Sequence, residues 1–500
     1  MNNTMNEMYY YGMADEGELD RLHYVPTIPE FLEFLKTEYS DLPAVSDQIN
    51  TYSYVEFVSR VRRRVGLLRS LSLPAGANIA ILAGNDLNTM ELFTAIPAAG
   101  FTVVMLPASL PSMQLIGLLR KFDAAAVFAP KDCALTAADA GIDLLAADAL
   151  SDTEGEFAPV EKGTPAAIFL TGGTTGTPKG AVLSHGALLR GAFNGVFVPG
   201  KVLHQTYFAM IPMTHVFGAI RSFLSCLYTG SLIYACPDMK AAITDIPVLR
   251  PTALVLIPGL LDIILSIAKL RGAAFLGRLR LVICGAAPTT QQQLALCREF
   301  GITVCPGYGL TECANLTSGN NDADALPESV GPVYPEQETK IVDGELWLRG
   351  DNVMLGYYGD PELTEAAFCD GWFRTGDLAK FVEYNGTQFL CITGRIKNLI
   401  ILPNGENVSP EELEALFNAY PEVQDCLVRE TEVNGTPMIG VEILPAMPGA
   451  APEAVAARMQ ALTDEINAEL PSYKKIRKVT VRTKDFKRSA AMKILRNQED

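Results

Sequence analysis

An α/β architecture with parallel sheets is predicted for the chain up to about residue 340, and three observations carry that prediction. Amphipathic helical patterns alternate with short apolar runs, the runs recur at close intervals, and neither an internal repeat of solenoid period nor a low-complexity tract interrupts them. FLEFLKTEY (31–39) and YVEFVSRVRRRVGLLRSL (54–71) read as helices, and NIAILA (78–83), TVVML (102–106) and AAVFA (125–129) as buried strands. Buried strands return at AAIFLT (166–171), SLIYA (231–235), TALVLI (252–257) and RLVICG (280–285). The most apolar stretch, 252–270, is broken by Pro258 and Asp262, so it reads as strand, turn and helix and not as a membrane span. The pattern changes at ETKIVDGELWLRG (338–350), which alternates like antiparallel strands about a turn at Asp343-Gly344.

Beyond Gly394 a smaller α+β unit is expected: LIIL (399–402), a helix in SPEELEALFNAY capped by Ser409 with Glu412 three residues on, DCLVRE, MIGVEIL, a helix over 452–470, and KVTVRT. The expected division is a large domain, 1–393, a hinge, 394–398, and a small domain, 399–500.

Composition narrows the function. The 500 residues are 49% hydrophobic and carry 40 Lys plus Arg against 57 Asp plus Glu, which disfavours non-specific binding of duplex DNA or an anionic membrane. Any anionic ligand must be met by local design. The first twenty residues are polar and then acidic, without the basic and apolar regions of a signal peptide, so a soluble, cytoplasmic protein is expected. Ten cysteines without a C-x-x-C pair are too sparse for a disulfide scaffold, and four histidines without H-E-x-x-H do not suggest zinc.

Several motifs carry chemistry. Thr171-Gly172-Gly173-Thr174-Thr175-Gly176-Thr177-Pro178-Lys179-Gly180 follows an apolar run and offers unhindered N–H groups, hydroxyls and one ammonium, as a polyphosphate requires. A flexible turn is the plainer reading; Walker A is excluded because Gly180 follows the lysine. Cys284-Gly285-Ala286-Ala287-Pro288 is a turn over which a flat ring can lie, or a simple strand-to-helix turn. Gly307-Tyr308-Gly309-Leu310-Thr311-Glu312 sets a hydroxyl beside a carboxylate, and Gly371-Trp372-Phe373-Arg374-Thr375-Gly376-Asp377 places an acid in a turn, suited to a ribose diol or simply an Asx-type turn. Gly394-Arg395-Ile396-Lys397-Asn398 and Ser489-Ala490-Ala491-Met492-Lys493-Ile494-Leu495-Arg496 complete the series.

In this order, and over nearly the whole chain, these motifs resemble the acyl-adenylate-forming superfamily of acyl-CoA and aryl-CoA ligases, peptide-synthetase adenylation domains and luciferases. The resemblance implies a small β-barrel-like part closing the large domain and a mobile small domain. It assigns the phosphate loop to Thr171, Gly172, Gly173, Thr174, Thr175, Gly176 and Lys179, with Gly172 where serine is common. Adenine is flanked by Gly285, Ala286, Ala287 and Pro288 and stacked by Tyr308 between Gly307 and Gly309. Thr311 lies near the α-phosphate, Glu312 holds Mg²⁺, Asp377 takes the ribose, and Arg395 reaches ribose or phosphate. Lys397 is at the pivot, and Lys493 swings in for adenylation, although Met492 stands at the usual glycine position. Catalytic roles thus fall to Lys493, His215, Thr174 and Glu312. His215, in Pro212-Met213-Thr214-His215-Val216-Phe217-Gly218, either gates the carboxylate site or is a structural histidine. No aspartate that would hold an amino-acid ammonium occurs in this run, so His215, Val216, Phe217, Gly218 and Ala219, with Gly285 and Gly309, are expected to line a pocket for an apolar acyl or aryl chain. Gly405, Glu406 and Asn407 are expected along a tunnel for the pantetheine thiol.

The implied reaction converts a carboxylic acid, fatty or aryl, with ATP and CoA into a thioester, AMP and pyrophosphate. Two anions must meet at phosphorus, which calls for cations and not for a general base, in keeping with the scarcity of histidine. Two alternatives stand beside it: a stand-alone enzyme loading the phosphopantetheine of an acyl or peptidyl carrier protein, and a catalytically degenerate nucleotide-binding protein. Eight cations against Asp485 between residues 474 and 488 are either a solvated face or a dock for the CoA 3′-phosphate or an acidic carrier.

Overall fold

Runs that are apolar on both faces have to be covered on both faces, and this decides the layout of the large domain. All six residues of the strand Asn78–Ala83 are buried, as are all four of Ala253–Leu256 and of Leu281–Cys284. The computed structural model describes residues 22–133, 135–136, 141–171, 178–402, 406–433, 436–488 and 494–496. Among these, the largest sheet has seven strands, in the order Gly356–Tyr357, Lys179–Ser184, Pro165–Thr171, Thr102–Pro107, Asn78–Ala83, Ala124–Ala129, Asp143–Ala146. It is parallel except at the edge where Lys179–Ser184 pairs antiparallel with both neighbours. A four-stranded sheet orders Thr51–Ser53, Pro43–Ser46, Leu232–Ala235, Thr206–Ala209, and another orders Ala253–Leu256, Leu281–Cys284, Thr303–Tyr308, Ser318–Gly319. Both are parallel except for one end strand.

The helices begin where their sequences provide caps. Ser53 and Glu56 form a reciprocal capping box at the start of Tyr54–Ser70, and Thr290 and Gln293 do the same for Gln291–Glu299. Tyr54–Ser70 is pinned to Leu87–Ala98 by a fully buried ion pair, Arg64 to Glu91 at 2.8 Å. Arg64 also donates to the carbonyls of Ala147 and Ala149 and to Asn88 Oδ1, so its charge and its N–H groups are satisfied together.

After residue 336 the chain turns antiparallel: Gln337–Val342 and Glu345–Gly350 form a hairpin through Asp343 and Gly344, both at positive φ, as the Asp-Gly pair predicts. Trp372–Tyr384 and Thr387–Arg395 extend this part to five strands with Phe368–Cys369. A separate core follows, built by Leu413 and Phe417 of the helix Pro410–Asn418, Val428, Val441, Ile443, and Met459 and Leu462 of the helix Pro452–Glu469. Its sheet pairs Val423–Val433 with Thr436–Pro445, which runs parallel to Lys478–Val481. No described helix is long and apolar enough to cross a membrane, and 252–270 forms the expected strand and helix.

Candidate active site

The candidate residues gather where these sheets end. Thr171 closes one strand and Lys179 opens the next, and the two residues are paired directly in an antiparallel register. Gly172, Gly173, Thr174, Thr175 and Gly176 lie outside the described residues, as do Gly405 and Lys493. Lys179 extends its ammonium over the ring of Tyr357, 5.3 Å from the centroid, and the Tyr357 hydroxyl donates to Glu312 Oε1 at 3.0 Å. Glu312 sits with Thr311 in a single helical turn after the strand Thr303–Tyr308, and Tyr357 is held beside it by the two-residue strand that pairs with Ala181 and Val182.

A second group centres on Asp377, whose side chain is 2% exposed. Its carboxylate accepts from the Tyr308 hydroxyl at 2.6 Å and pairs with Arg395 Nε at 2.6 Å. The turn is set by its own neighbours: Gly376 takes φ +70°, the Gly376 N–H donates to Glu345 Oε1, and the Asp377 N–H donates to Thr375 Oγ1. Burial, and next the Asp377 charge, push the Tyr308 phenol well above its usual range. Burial, and then Glu312, raise Tyr357 in the same way.

Lys397 links the two groups. Burial, followed by Arg395, holds its ammonium below the usual lysine range; Lys179 acts in the same sense, and Asp377 and Glu312 oppose. Lys397 is thus within electrostatic reach of both groups, and together they offer cations suited to polyphosphate and carboxylates suited to a ribose diol or a metal.

Of the residues expected to line the acyl pocket, Gly309 is held against the Asn315 carbonyl, and the others lie at 215–219 and 285. Phe217, Gly218 and Ala219 begin a π-helical segment, Phe217–Leu224, in which Ser225 Oγ bonds to the Ile220 carbonyl five residues back. Gly218 is forced: an added Cβ would stand 2.2 Å from the Pro212 carbonyl oxygen. The Phe217 ring covers Gly285, where an added Cβ would meet it at 3.0 Å. Val216 and Ala219 are buried, and His215 is exposed, so it is not a core histidine. Ala286 adopts φ +70° and lies exposed with Ala287 and Pro288, forming an open turn beside Gly285.

Glu406 and Asn407 are exposed at the start of a short strand in the second core's domain, apart from the groups above. Ile494 bridges to Arg488, and Arg496 pairs with Glu411 and Glu414, so the residues following Lys493 are fastened to that domain. Several of the cations in 474–488 are paired with acids: Lys474 with Glu412, Arg482 with Glu442, and Arg488 with Asp425 and Asp485. Sequence reasoning missed Tyr357 and Glu345, which only the pairing of distant strands brings into the site.

Residues 33–358 match the AMP-binding enzyme family, and residues 397–499 match the AMP-binding enzyme C-terminal domain. A 4-coumarate–CoA ligase-like protein of Oryza sativa subsp. japonica is 30% identical over 67% of this chain and 63% of its own length. An indoleacetate–CoA ligase of Aromatoleum aromaticum is 31% identical over 56% of this chain and 58% of its own, so the chain spans about three-fifths of these two curated relatives. The solved o-succinylbenzoate CoA synthetase of Bacillus subtilis, in complex with an acyl-adenylate, superposes with a TM-score of 0.78 at 22% identity, covering 94% of this chain and 97% of that one.

Proposed function

Because the chain belongs to the AMP-binding enzyme family, we propose that it is an AMP-forming acid–thiol ligase that activates a carboxylic acid with ATP and passes the acyl group to CoA. The observation that carries this reading is the joining of Tyr308, Asp377 and Arg395 to Lys179, Lys397 and Glu312 in one site. In the first step a carboxylate oxygen of the acid attacks the α-phosphorus of ATP, an acyl–phosphate bond forms, and pyrophosphate leaves. In the second, a thiol attacks the acyl carbon and AMP leaves with the bonding electrons. Asp377 accepts from the ribose hydroxyls, Tyr308 supplies the stacking face, and Lys179 with Lys493 neutralises the phosphates. His215, exposed at the head of the π-helical segment, gates the carboxylate end, and Thr174 adds a hydroxyl from the loop.

A Mg²⁺ ion fits this donor set. Glu312 is a half-buried carboxylate already oriented by Tyr357, and an ion that keeps waters and phosphate oxygens needs only one or two protein carboxylates. When bound, the ion neutralises charge on the phosphates.

The names of the curated relatives favour an aryl acid over a fatty acid. Free CoA is favoured over a carrier protein by the acids that already pair Lys474, Arg482 and Arg488. Residues 394–398 form the hinge between 1–393 and 399–500, with Glu406 and Asn407 on the thiol path. Ten unpaired thiols suit the reducing cytoplasm.

The test is carboxylate-dependent exchange of labelled pyrophosphate into ATP. Exchange that depends on an acid supports the reading, and Lys493→Ala should abolish exchange while ATP still binds. Binding of ATP without exchange for any acid would leave a degenerate nucleotide binder. Acyl transfer to phosphopantetheinylated carrier but not to free CoA would reassign the acceptor.

A further inference from the structure

Among the described residues two arginines are fully enclosed, and they are treated differently. Arg64 has a carboxylate, two carbonyls and an amide oxygen around it. Arg221, in the π-helical segment, is 2% exposed, pairs with no carboxylate among the described residues, and leaves Nη2 without a hydrogen-bond partner. Its charge is felt by the Tyr207 phenol, Tyr334, Cys226 and Cys305, none of them an acid at neutral pH. A guanidinium cannot discharge itself by losing a proton, so a buried one without an anion is costly unless something else supplies the anion.

Its position says what does. Phe217, four residues earlier on the same segment, covers Gly285. Cys284 is in register with Pro306, which brings Gly285 level with Gly307, while Cys305 lies two residues earlier on the same face of that strand. Arg221 acts on Cys305, and Cys305 is roughly 7 Å along the strand from the level that Phe217 covers. Other polar atoms in that region are equally unanswered. Asn194 Oδ1, adjoining the Gly195 against which Arg221 packs, and Thr317 Oγ1 and Ser318 Oγ, on the neighbouring strand, are buried without partners.

We propose that Arg221 is a specificity-determining residue at the closed end of the acyl pocket and that the acid activated is a dicarboxylic acid, its second carboxylate held by the Arg221 guanidinium. The inference rests on the adenylation reading above and narrows its substrate. Phe217, Val216 and Ala219 then enclose the apolar linker between the two carboxylates, and the end of the pocket is polar, where the sequence alone predicts apolar lining throughout. A fatty acid would bury a methyl group against an unpaired charge.

The experiment is hydroxamate trapping of the acyl-adenylate with matched pairs: aliphatic and aromatic dicarboxylic acids, each beside its own monomethyl ester, which has the same length without the distal charge. For the preferred acid, the wild-type enzyme should show kcat/KM at least fiftyfold higher with the diacid than with the ester. In Arg221→Met that ratio should fall to about one, and Arg221→Lys should restore part of it. A wild-type ratio within threefold for every acid that reacts overturns the proposal and needs no variant to do so. Equal losses on diacid and ester in a folded Arg221→Met protein overturn it too. A parallel panel of aryl and fatty monocarboxylic acids separates the two readings: hydroxamate from monocarboxylic acids alone overturns the proposal, whereas absence of hydroxamate from every acid, with ATP bound, is a failure of the adenylation reading itself.

Discussion

At the scale of single residues, Asp377 is the most heavily committed group in the site, because one buried carboxylate serves a phenol and a guanidinium that are 69 and 18 residues away in the chain. On the proposed function a ribose diol has to displace or share these partners, through charge-assisted hydrogen bonds worth about 1.5–3 kcal/mol. Asp377→Asn keeps the shape and removes the charge. Its kcat/KM for ATP in pyrophosphate exchange should drop roughly tenfold to a hundredfold, whereas Tyr308→Phe, which retains the ring, should lose less than tenfold. Unchanged ATP kinetics in Asp377→Asn would remove the ribose from this carboxylate. The two buried arginines give a second prediction at this scale. Arg64→Met strands Glu91 in the interior and should cost about 3 kcal/mol in urea unfolding, softened by the remaining pair with Arg60. Arg221→Met leaves no carboxylate behind and should cost much less, or even stabilise, as expected of a charge retained for a ligand and not for the fold. Equal destabilisation by both would mark Arg221 as structural.

At the scale of elements, the helices and buried strands are legible in the sequence for local reasons. Ser409 caps the helix Pro410–Asn418 by accepting from the Glu412 N–H, and the run Asn78–Ala83 needs no partner to be recognised as wholly buried. The π-helical segment is not legible: FGAIRSFL reads as ordinary helix, and its wider turn coincides with the contact between Gly218 and the Pro212 carbonyl. Tyr357 is likewise invisible, since a two-residue strand has no periodicity and its place is decided by pairing with Ala181. The motif residues Tyr308, Glu312, Asp377 and Arg395 could be singled out by residue type and order, but which of them touch depends on strand register. His185 shows how two elements share one group. It opens the helix His185–Asn194, and its Nδ1 accepts the Ile28 N–H at the start of Ile28–Tyr39. Burial lowers its pKa from 6.5 to about 4, and the positive ends of two helices also disfavour a cation there. The native pKa is below the unfolded one, so this contribution is complete above pH 6.5 and is lost as pH falls toward 4, about 3 kcal/mol in all. Urea unfolding at pH 7 and pH 5 should therefore show a larger loss of stability in the wild type than in His185→Asn, which keeps an acceptor for Ile28 but does not titrate. Parallel pH dependence in the two proteins would place the loss elsewhere.

At the scale of the molecule, the distribution of charge and the two cores belong together. Residues 1–393 hold 26 cations against 41 anions, while the remainder is nearly balanced, so the cations that meet an anionic substrate are few and placed. Arg395 and Lys397 stand between the two cores, and on the proposed function rotation about this junction presents or withdraws positive charge. The junction is tight at one point. Gly394 has φ +155°, and a Cβ there would stand 2.1 Å from Ser409 Oγ and 3.1 Å from a Glu411 carboxylate oxygen. Ser409 is itself fixed to the Thr393 carbonyl at 2.7 Å, so neither partner can withdraw cheaply. Gly394→Ala therefore penalises the arrangement described here more than any arrangement in which Ser409 moves away from residue 394. If the two half-reactions use different arrangements, the variant must slow one of them selectively. Pyrophosphate exchange reads the first half-reaction, and thioester formation from preformed acyl-adenylate reads the second; one should fall at least tenfold while the other changes by less than threefold. Equal losses would mean that the substitution distorts Arg395 and the site it shares with Asp377, and that the junction does not act as a hinge.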